Sequence, residues 1–293
     1  MGKNIYLNGQ ILPSDKAQIS ISDRGFLFGD GLIETFRTYS QAPFMLKSHL
    51  NRLVKSAEVL GINTPDIEAL KDAVYKVVEN NNISEGKIRL TVTRGTSLSG
   101  SFYENIDQPT VLITISDLDT ASLSTVQGGV RTISGEDKRS LVSGHKNLSM
   151  MASVNSFRQV AEKGAYDMIQ VTRRGFVTEG LRSNVFIVLD GILLTPPLGS
   201  RVLPGITRQV AINIAKRNGL KVEEDGIVGQ DLKSAEEIFL TNSVAEIIPV
   251  TSLNDQPVAS GQIGPVTSTI QRGYRLLVDN WLEQIGVTQK SLL

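Results

Sequence analysis

The chain contains no cysteine, so it has no disulfide framework, no iron–sulfur cluster and no thiol nucleophile. Its two histidines, His49 and His145, lie far apart, and no His-Glu-x-x-His or similar spacing occurs, so no metal is expected. Charge of either sign is not in excess: Lys plus Arg and Asp plus Glu both number 30, for a formal net charge of zero. No global field therefore draws the protein to nucleic acid or to an anionic membrane. Long apolar runs are missing as well, since a stretch such as Val185–Leu189 is strand-length and far short of a membrane span. The opening MGKNIYLNGQ is polar and turn-rich, unlike a signal peptide, and Tyr6 stands where a myristoylation signal needs Ser or Thr. These lacks lead us to expect a cytoplasmic protein whose partners are small molecules, with neither nucleic acid nor membrane among them.

What is present is ordinary for a soluble enzyme or binding protein: 293 residues, 40% hydrophobic and 20% charged. That length suggests two domains or one large one. NIYLNGQILP alternates around Asn8-Gly9, a strong hairpin signal. A glycine-rich loop, SDRGFLFGDG, precedes a strand candidate, LIETFRTYS. Leu46, Leu50, Leu53, Ala57 and Leu60, with Gly61 as a stop, predict a helix over 46–60. A second helix is expected from Asp66 to Asn80, with strands near 87–94 and 110–116. DLDTASLSTVQGG is small, polar and aperiodic, and reads as a linker. Beyond it we expect a strand near 130–134, a helix from about 147 to 163, hairpins over 167–195 and a helix from about 206 to 218. EIFLTNSVAEIIPV reads as a strand, and a final helix spans about 265–285. The class is therefore α+β in two domains: a smaller one over 1–117, a linker over 118–129, and a larger, strand-rich one over 130–293.

Within this frame a few residues stand out. Glu179, in RGFVTEGLRSNVFIVL, places a carboxylate where two apolar, β-branched runs meet. It is either a solvated turn residue or the partner of a cationic ligand, because a buried carboxylate costs several kcal/mol without compensation. Lys146, in SGHKNLSMM, precedes a helix whose stripe of Met150, Val154, Phe157 and Ala161 is expected to face a core. An amine beside apolar packing is a better nucleophile toward carbonyls, although a surface lysine ahead of a helix has the same sequence. LPGITR puts Pro204 and Gly205 before a helix starting near Ile206, so free N–H groups and the Thr207 hydroxyl form an anion site, or merely a well-made helix start. Thr241, Asn242 and Ser243 interrupt an apolar strand, as a bulge or as a second phosphate contact. Arg52 lies on the first helix, either solvated or bound to an anion. The glycines of GFLFGDG precede a strand pattern instead of a helix, so no dinucleotide fingerprint is read there. A lysine, a carboxylate and several phosphate-type sites together suit pyridoxal 5′-phosphate: the lysine for its aldehyde, the carboxylate for its ring nitrogen.

SDRGFLFGDGLIETFRTY, HLNRL, HKNLS, VTEGLRSNVF, LPGITR and LTNSVAEIIPV, in that order, resemble the class IV, fold type IV pyridoxal-phosphate enzymes over nearly the whole chain. That family includes branched-chain and D-amino-acid aminotransferases, R-selective amine transaminases and aminodeoxychorismate lyases. The resemblance implies that Lys146 is the Schiff-base lysine and proton shuttle, and that Glu179 partners the pyridine nitrogen. It implies that Arg52, Ile206, Thr207, Asn242 and Ser243 hold the phosphate, partly through backbone N–H groups. It further implies a small amino-terminal and a larger carboxy-terminal domain with the cofactor between them, in a homodimer whose partner completes each site.

The sequence departs from the family in ways that bear on its substrate. Met151 stands where many branched-chain enzymes have a tyrosine near the ring hydroxyl, and Ile33 stands where an aromatic is common. Ser99 and Ser101 occupy the places of the Arg-x-His carboxylate trap of D-amino-acid aminotransferases, which argues against that specificity. The TNS triplet, in contrast, resembles the lyases. The expected reaction is transfer of an amino group between an amino acid, or related amine, and a 2-oxo acid. The alternatives are elimination of pyruvate from aminodeoxychorismate and, because Lys146 and Glu179 are both kept, more remotely a non-catalytic binding protein.

Overall fold

The computed structural model describes residues 3–97, 99–102 and 106–287, so Met1 and Gly2, read above against a lipid signal, lie outside the described residues. The chain divides into two compact units, Met1–Leu118 with His145–Met150, and Asp119–Gly144 with Met151–Leu293.

In the first unit, β1 (Asn4–Leu7) and β2 (Gln10–Pro13) form the hairpin signalled by Asn8-Gly9, with Leu7 opposite Gln10. The glycine-rich loop contains a short helix, α1 (Arg24–Phe28), which periodicity could not reveal because capping makes it: Asp23 accepts from the Gly25 N–H at 2.8 Å, and Gly29 ends it in the left-handed region. β3 (Gly31–Tyr39) and β4 (Ala42–Pro43) are followed by α2 (Leu46–Leu60) and α3 (Ile67–Asn81), the latter capped by Asp66. β5 (Gly86–Thr93) and β6 (Thr110–Asp117) complete an antiparallel sheet of order β2-β1-β6-β5-β3-β4. Leu50 and Leu53 of α2, Val74 and Val77 of α3, and Leu32, Phe36, Ile88 and Leu90 of the sheet share one buried core.

In the second unit, the stretch read as a linker carries α4 (Thr120–Gln127), started by Asp119 and burying no residue fully. Leu123 and Val126, three apart, are its apolar anchors, too few to show as a period. β7 (Val130–Glu136) and α5 (Met151–Glu162) follow, and then β8 (Asp167–Val171), β9 (Val177–Gly180), β10 (Asn184–Leu189) and β11 (Ile192–Thr195). α6 (Ile206–Arg217), β12 (Val222–Glu224), α7 (Asp231–Ser234), β13 (Glu237–Asn242), β14 (Glu246–Leu253), β15 (Gln256–Pro257) and α8 (Pro265–Gln284) complete the unit. One mixed sheet runs β12-β11-β10-β13-β14-β7-β8-β9, with β15 beside β14. The helices hold more residues than the strands here, because α8 alone runs 20 residues. Among the described residues no helix is long and apolar enough to cross a membrane.

Three further expectations change. EIFLTNSVAEIIPV is two strands joined by a turn, not one interrupted strand, because Asn242 Oδ1 accepts from the N–H groups of Val244 (3.0 Å) and Ala245 (2.7 Å) and folds the chain back. The helix expected from 147 starts at Met151, because the residues before it pair with β3. Its buried face is Ser156 and Val160, whereas Val154 is 60% exposed and Met150 39%.

Candidate active site

The first unit builds a charged cluster into its core. Period-two alternation places Leu32, Glu34 and Phe36 on one face of β3. Leu32 and Phe36 enter the apolar core, and Glu34 between them is 1% exposed. α2 supplies its partners from its buried side. Arg52 forms a fork, Nε to Oε1 at 2.8 Å and Nη2 to Oε2 at 2.6 Å, and His49 Nδ1 lies 2.8 Å from Oε2. Burial pushes the Glu34 pKa up, but the Arg52 charge and the bonds from His49 and Arg52 reverse this and bring it to about 2. His49 moves below its ordinary value, chiefly through burial and in part through the charges of Arg52 and Lys146. A neutral His49 beside an ionised Glu34 carries its proton on Nδ1 and donates it. Arg52 is therefore not a solvated arginine, being buried and paired.

Lys146 is half-buried and its backbone is tied to β3. The Ile33 N–H donates to the Lys146 carbonyl at 2.8 Å, and the Leu148 N–H donates to the Gly31 carbonyl at 3.0 Å. This segment lines the amino-terminal half of β3, the part that β4 leaves uncovered. Just before it, His145 Nδ1 lies 3.1 Å from Ser56 Oγ on α2. Lys146 and Ile33 are thus joined through the backbone, in the unit that also holds Arg52, and Lys146 is half-buried. Ser99 and Ser101 are exposed, and the Ser101 N–H donates to Ser99 Oγ at 3.2 Å. Arg24, in the SDRG stretch, holds that loop through the carbonyls of Ser101 (2.5 Å) and Phe102 (2.8 Å).

In the second unit, Glu179 is 6% exposed and already has a cation. Arg139 Nη1 pairs with Oε1, while Oε2 accepts from Asn184 Nδ2 at 3.0 Å and from the Leu203 N–H at 2.8 Å. Arg139 is in turn fixed by Asp137, Nε to Oδ1 at 3.1 Å and Nη2 to Oδ2 at 3.0 Å, and it donates to the Arg201 carbonyl at 2.9 Å. Burial disfavours the charged guanidinium, yet Glu179 and Asp137 more than offset this and raise its pKa. Sequence reading missed Arg139, although the charge run EDKR was a signal. It also missed Asn184, which joins Glu179 to the start of α6 by donating to the Leu203 carbonyl at 2.9 Å. Its amide fixes the next position too: a Cβ on Gly205 would lie 1.9 Å from Asn184 Oδ1, so only glycine fits there.

Gly205 leaves α6 without a side-chain cap. Contrast α8, whose first turn is closed by Glu237 accepting from the N–H groups of Val266 (2.9 Å) and Thr267 (2.7 Å). Ile206 and Thr207 thus stand at an uncapped helix start, where the dipole and open N–H groups favour an anion. Thr241 faces Asn184 across β10 and β13, is 1% exposed, and its hydroxyl has no hydrogen-bond partner among the described residues. The neighbouring pair on that face, Phe186 and Phe239, stacks with centroids 4.7 Å apart. Asn242, expected at the phosphate, uses its side-chain oxygen on the turn. Met151, in contrast, is 80% exposed.

The family model for amino-transferase class IV matches residues 31–253. The chain belongs to the class IV aminotransferases. A putative branched-chain-amino-acid aminotransferase of Methanocaldococcus jannaschii is 34% identical over 282 residues, covering 94% of this chain and 97% of the relative. A D-alanine aminotransferase of Bacillus licheniformis is 34% identical over 268 residues, 91% of this chain and 94% of the relative. Among solved structures, the Escherichia coli branched-chain amino acid aminotransferase superposes with a TM-score of 0.86 at 26% identity, covering 94% of this chain and 95% of that one. The Thermoproteus uzoniensis branched-chain enzyme with norvaline gives 0.85 at 26% identity, covering 100% and 98%. This aminotransferase is thus a fold type IV, α+β enzyme dependent on pyridoxal 5′-phosphate. The second unit fits that group's anionic end: an orphaned buried hydroxyl, Thr241 Oγ1, adjoins the residue that abuts an uncapped helix start.

Proposed function

We propose that this aminotransferase takes its amino group from an amino acid with an apolar side chain and passes it to a 2-oxo acid, with Lys146 as the catalytic residue. The observation that carries the donor class is the 99–101 stretch. Ser99 and Ser101 offer no cation for a forked, oriented grip on a carboxylate, so the D-amino-acid pattern is not kept. The aliphatic Ile33, one bond from the Lys146 carbonyl, supports an apolar substrate wall.

When bound, the cofactor supplies an electron sink that acidifies the substrate α-carbon. Lys146 Nζ would take the α-proton and deliver it to the cofactor carbon, a role that suits an amine held half-buried on a fixed backbone. Glu179, oriented by Arg139, Asn184 and the Leu203 N–H, would face the ring nitrogen. Ile206 and Thr207, with the Thr241 and Ser243 hydroxyls, would hold the phosphate, and Arg52 would add the cation that Glu34 orients. Spectra of the purified protein test the donor class. L-branched-chain amino acids are expected to convert the visible band of the bound cofactor to that of its amine form, reversed by a 2-oxo acid. Conversion by D-alanine alone would overturn the assignment.

A homodimer belongs to the same proposal. Ile21 is 81% exposed, Phe26 75% and Phe102 87% in the first unit, and Met151 is 80% and Leu141 65% exposed in the second. Apolar surface on this scale is covered in stable soluble proteins, and a second copy of the chain is the occupant the family implies. Light scattering at micromolar concentration is expected to give twice the chain mass, and the monomer mass would refute it. A cytoplasmic location is proposed with it, supported by the lack of cysteine and of any transmembrane helix among the described residues.

A further inference from the structure

Asp167, the first residue of β8, is completely buried and forms no salt bridge among the described residues. Burial raises its pKa, which the bonds it accepts and the charge of Arg182 only partly offset. Burying a lone carboxylate costs several kcal/mol, so a packing role alone would be better met by an apolar residue. Its bonds lead elsewhere. Besides the Met168 N–H (2.8 Å), it accepts from the Leu181 N–H at 3.0 Å and from Ser183 Oγ at 2.7 Å. Both donors belong to the turn between Glu179, at the end of β9, and Asn184, at the start of β10. That turn is drawn in further by the Gly180 N–H donating to the Ser183 carbonyl at 2.7 Å and by Gln170 Nε2 donating to the Gly180 carbonyl at 3.0 Å. A Cβ on Gly180 would lie 2.2 Å from Ser183 Oγ and 2.8 Å from Asp167 Oδ2, so glycine is required by this contact.

We infer that Asp167 is a positioning residue for Glu179: through the Leu181 N–H and the Ser183 hydroxyl it sets the turn that holds the Asn184 amide against the Glu179 carboxylate. The inference rests on the reading of Glu179 as the partner of the cofactor ring. TEGLRSN thereby acquires a role for each small residue, with Gly180 giving clearance, Ser183 reaching Asp167 and Asn184 reaching Glu179.

The test uses the full-length protein, stripped of cofactor and titrated with pyridoxal 5′-phosphate by equilibrium dialysis, with the absorption maximum of the bound form and the melting temperature of the stripped form recorded alongside. Glu179→Gln sets the scale and is expected to weaken binding and shift the maximum. Asp167→Ala is expected to weaken binding about tenfold, as when one oriented hydrogen bond is lost, and to shift the maximum in the same direction. Asp167→Asn, which keeps an oxygen for the Leu181 N–H, is expected to recover most of both. A lower melting temperature with wild-type affinity and absorption would make Asp167 structural only and overturn the inference. If Asp167→Ala does not fold, Ser183→Ala, which removes one of the two turn bonds, decides by the same readings. An unchanged Glu179→Gln would instead overturn the parent reading, and the inference with it.

Discussion

Lys146→Ala is expected to lower transamination on the order of 10⁴-fold or more, because in the proposed mechanism one change removes both the nucleophile that holds the cofactor and the base that moves the substrate proton. The backbone should not move, since the Lys146 carbonyl and the Leu148 N–H are held by Ile33 and Gly31 whatever side chain stands between them. The variant should therefore fold and still bind pyridoxal 5′-phosphate without a covalent link, through the residues of the second unit. Borohydride reduction followed by mass spectrometry is expected to add the cofactor mass to the wild type and nothing to the variant. Lys146→Arg keeps the charge but cannot act as nucleophile or base near neutral pH, so it should be as inactive, separating the chemistry of the amine from its charge. Retained turnover in Lys146→Ala would remove the basis of the proposed mechanism.

Local chemistry made much of this legible in advance. Asn8-Gly9 could only turn, and the stripe from Leu46 to Ala57 with Gly61 behind it could only be α2. Glu179 stood out because its charge interrupts two apolar runs, and Lys146 because HKNLS resembles the family motif. What sequence could not show is decided at long range. The segment at 145–150 is held out of α5 by β3, more than a hundred residues earlier. α1 depends on Asp23, whose carboxylate also accepts from Thr93 (2.9 Å) and Thr110 (2.6 Å). Arg139 and Asn184 looked like polar residues in loops, and only the folded chain brings them to Glu179. Glu34 did carry a signal that went unread: it shares a face with Leu32 and Phe36, and a carboxylate in that row requires a buried cation.

That requirement makes Glu34→Ala the substitution with the largest expected effect on stability, about 3–5 kcal/mol, because it leaves the Arg52 guanidinium buried at 9% exposure without its forked partner. Urea unfolding followed by circular dichroism checks it. Glu34→Gln should cost less, since its amide oxygen still accepts from Arg52, and this isolates the charge. The pH dependence follows from the same geometry. Glu34 titrates at about 2 in the folded protein against an ordinary 4.5, so its stabilisation is complete above about pH 4.5 and is lost as pH falls toward 2. By linkage that loss is about 3 kcal/mol. His49 acts in the same direction at higher pH. Its pKa lies below 6.5 in the fold, so below that pH the unfolded chain takes up a proton that the native state refuses. Wild-type stability should therefore begin to decline just below pH 6.5 and fall further below 4.5. Glu34→Gln, already less stable at neutrality, should lose the lower of these two steps. A Glu34→Gln variant with the acid sensitivity of the wild type would show that the charge of Glu34 is not what secures Arg52 in the core.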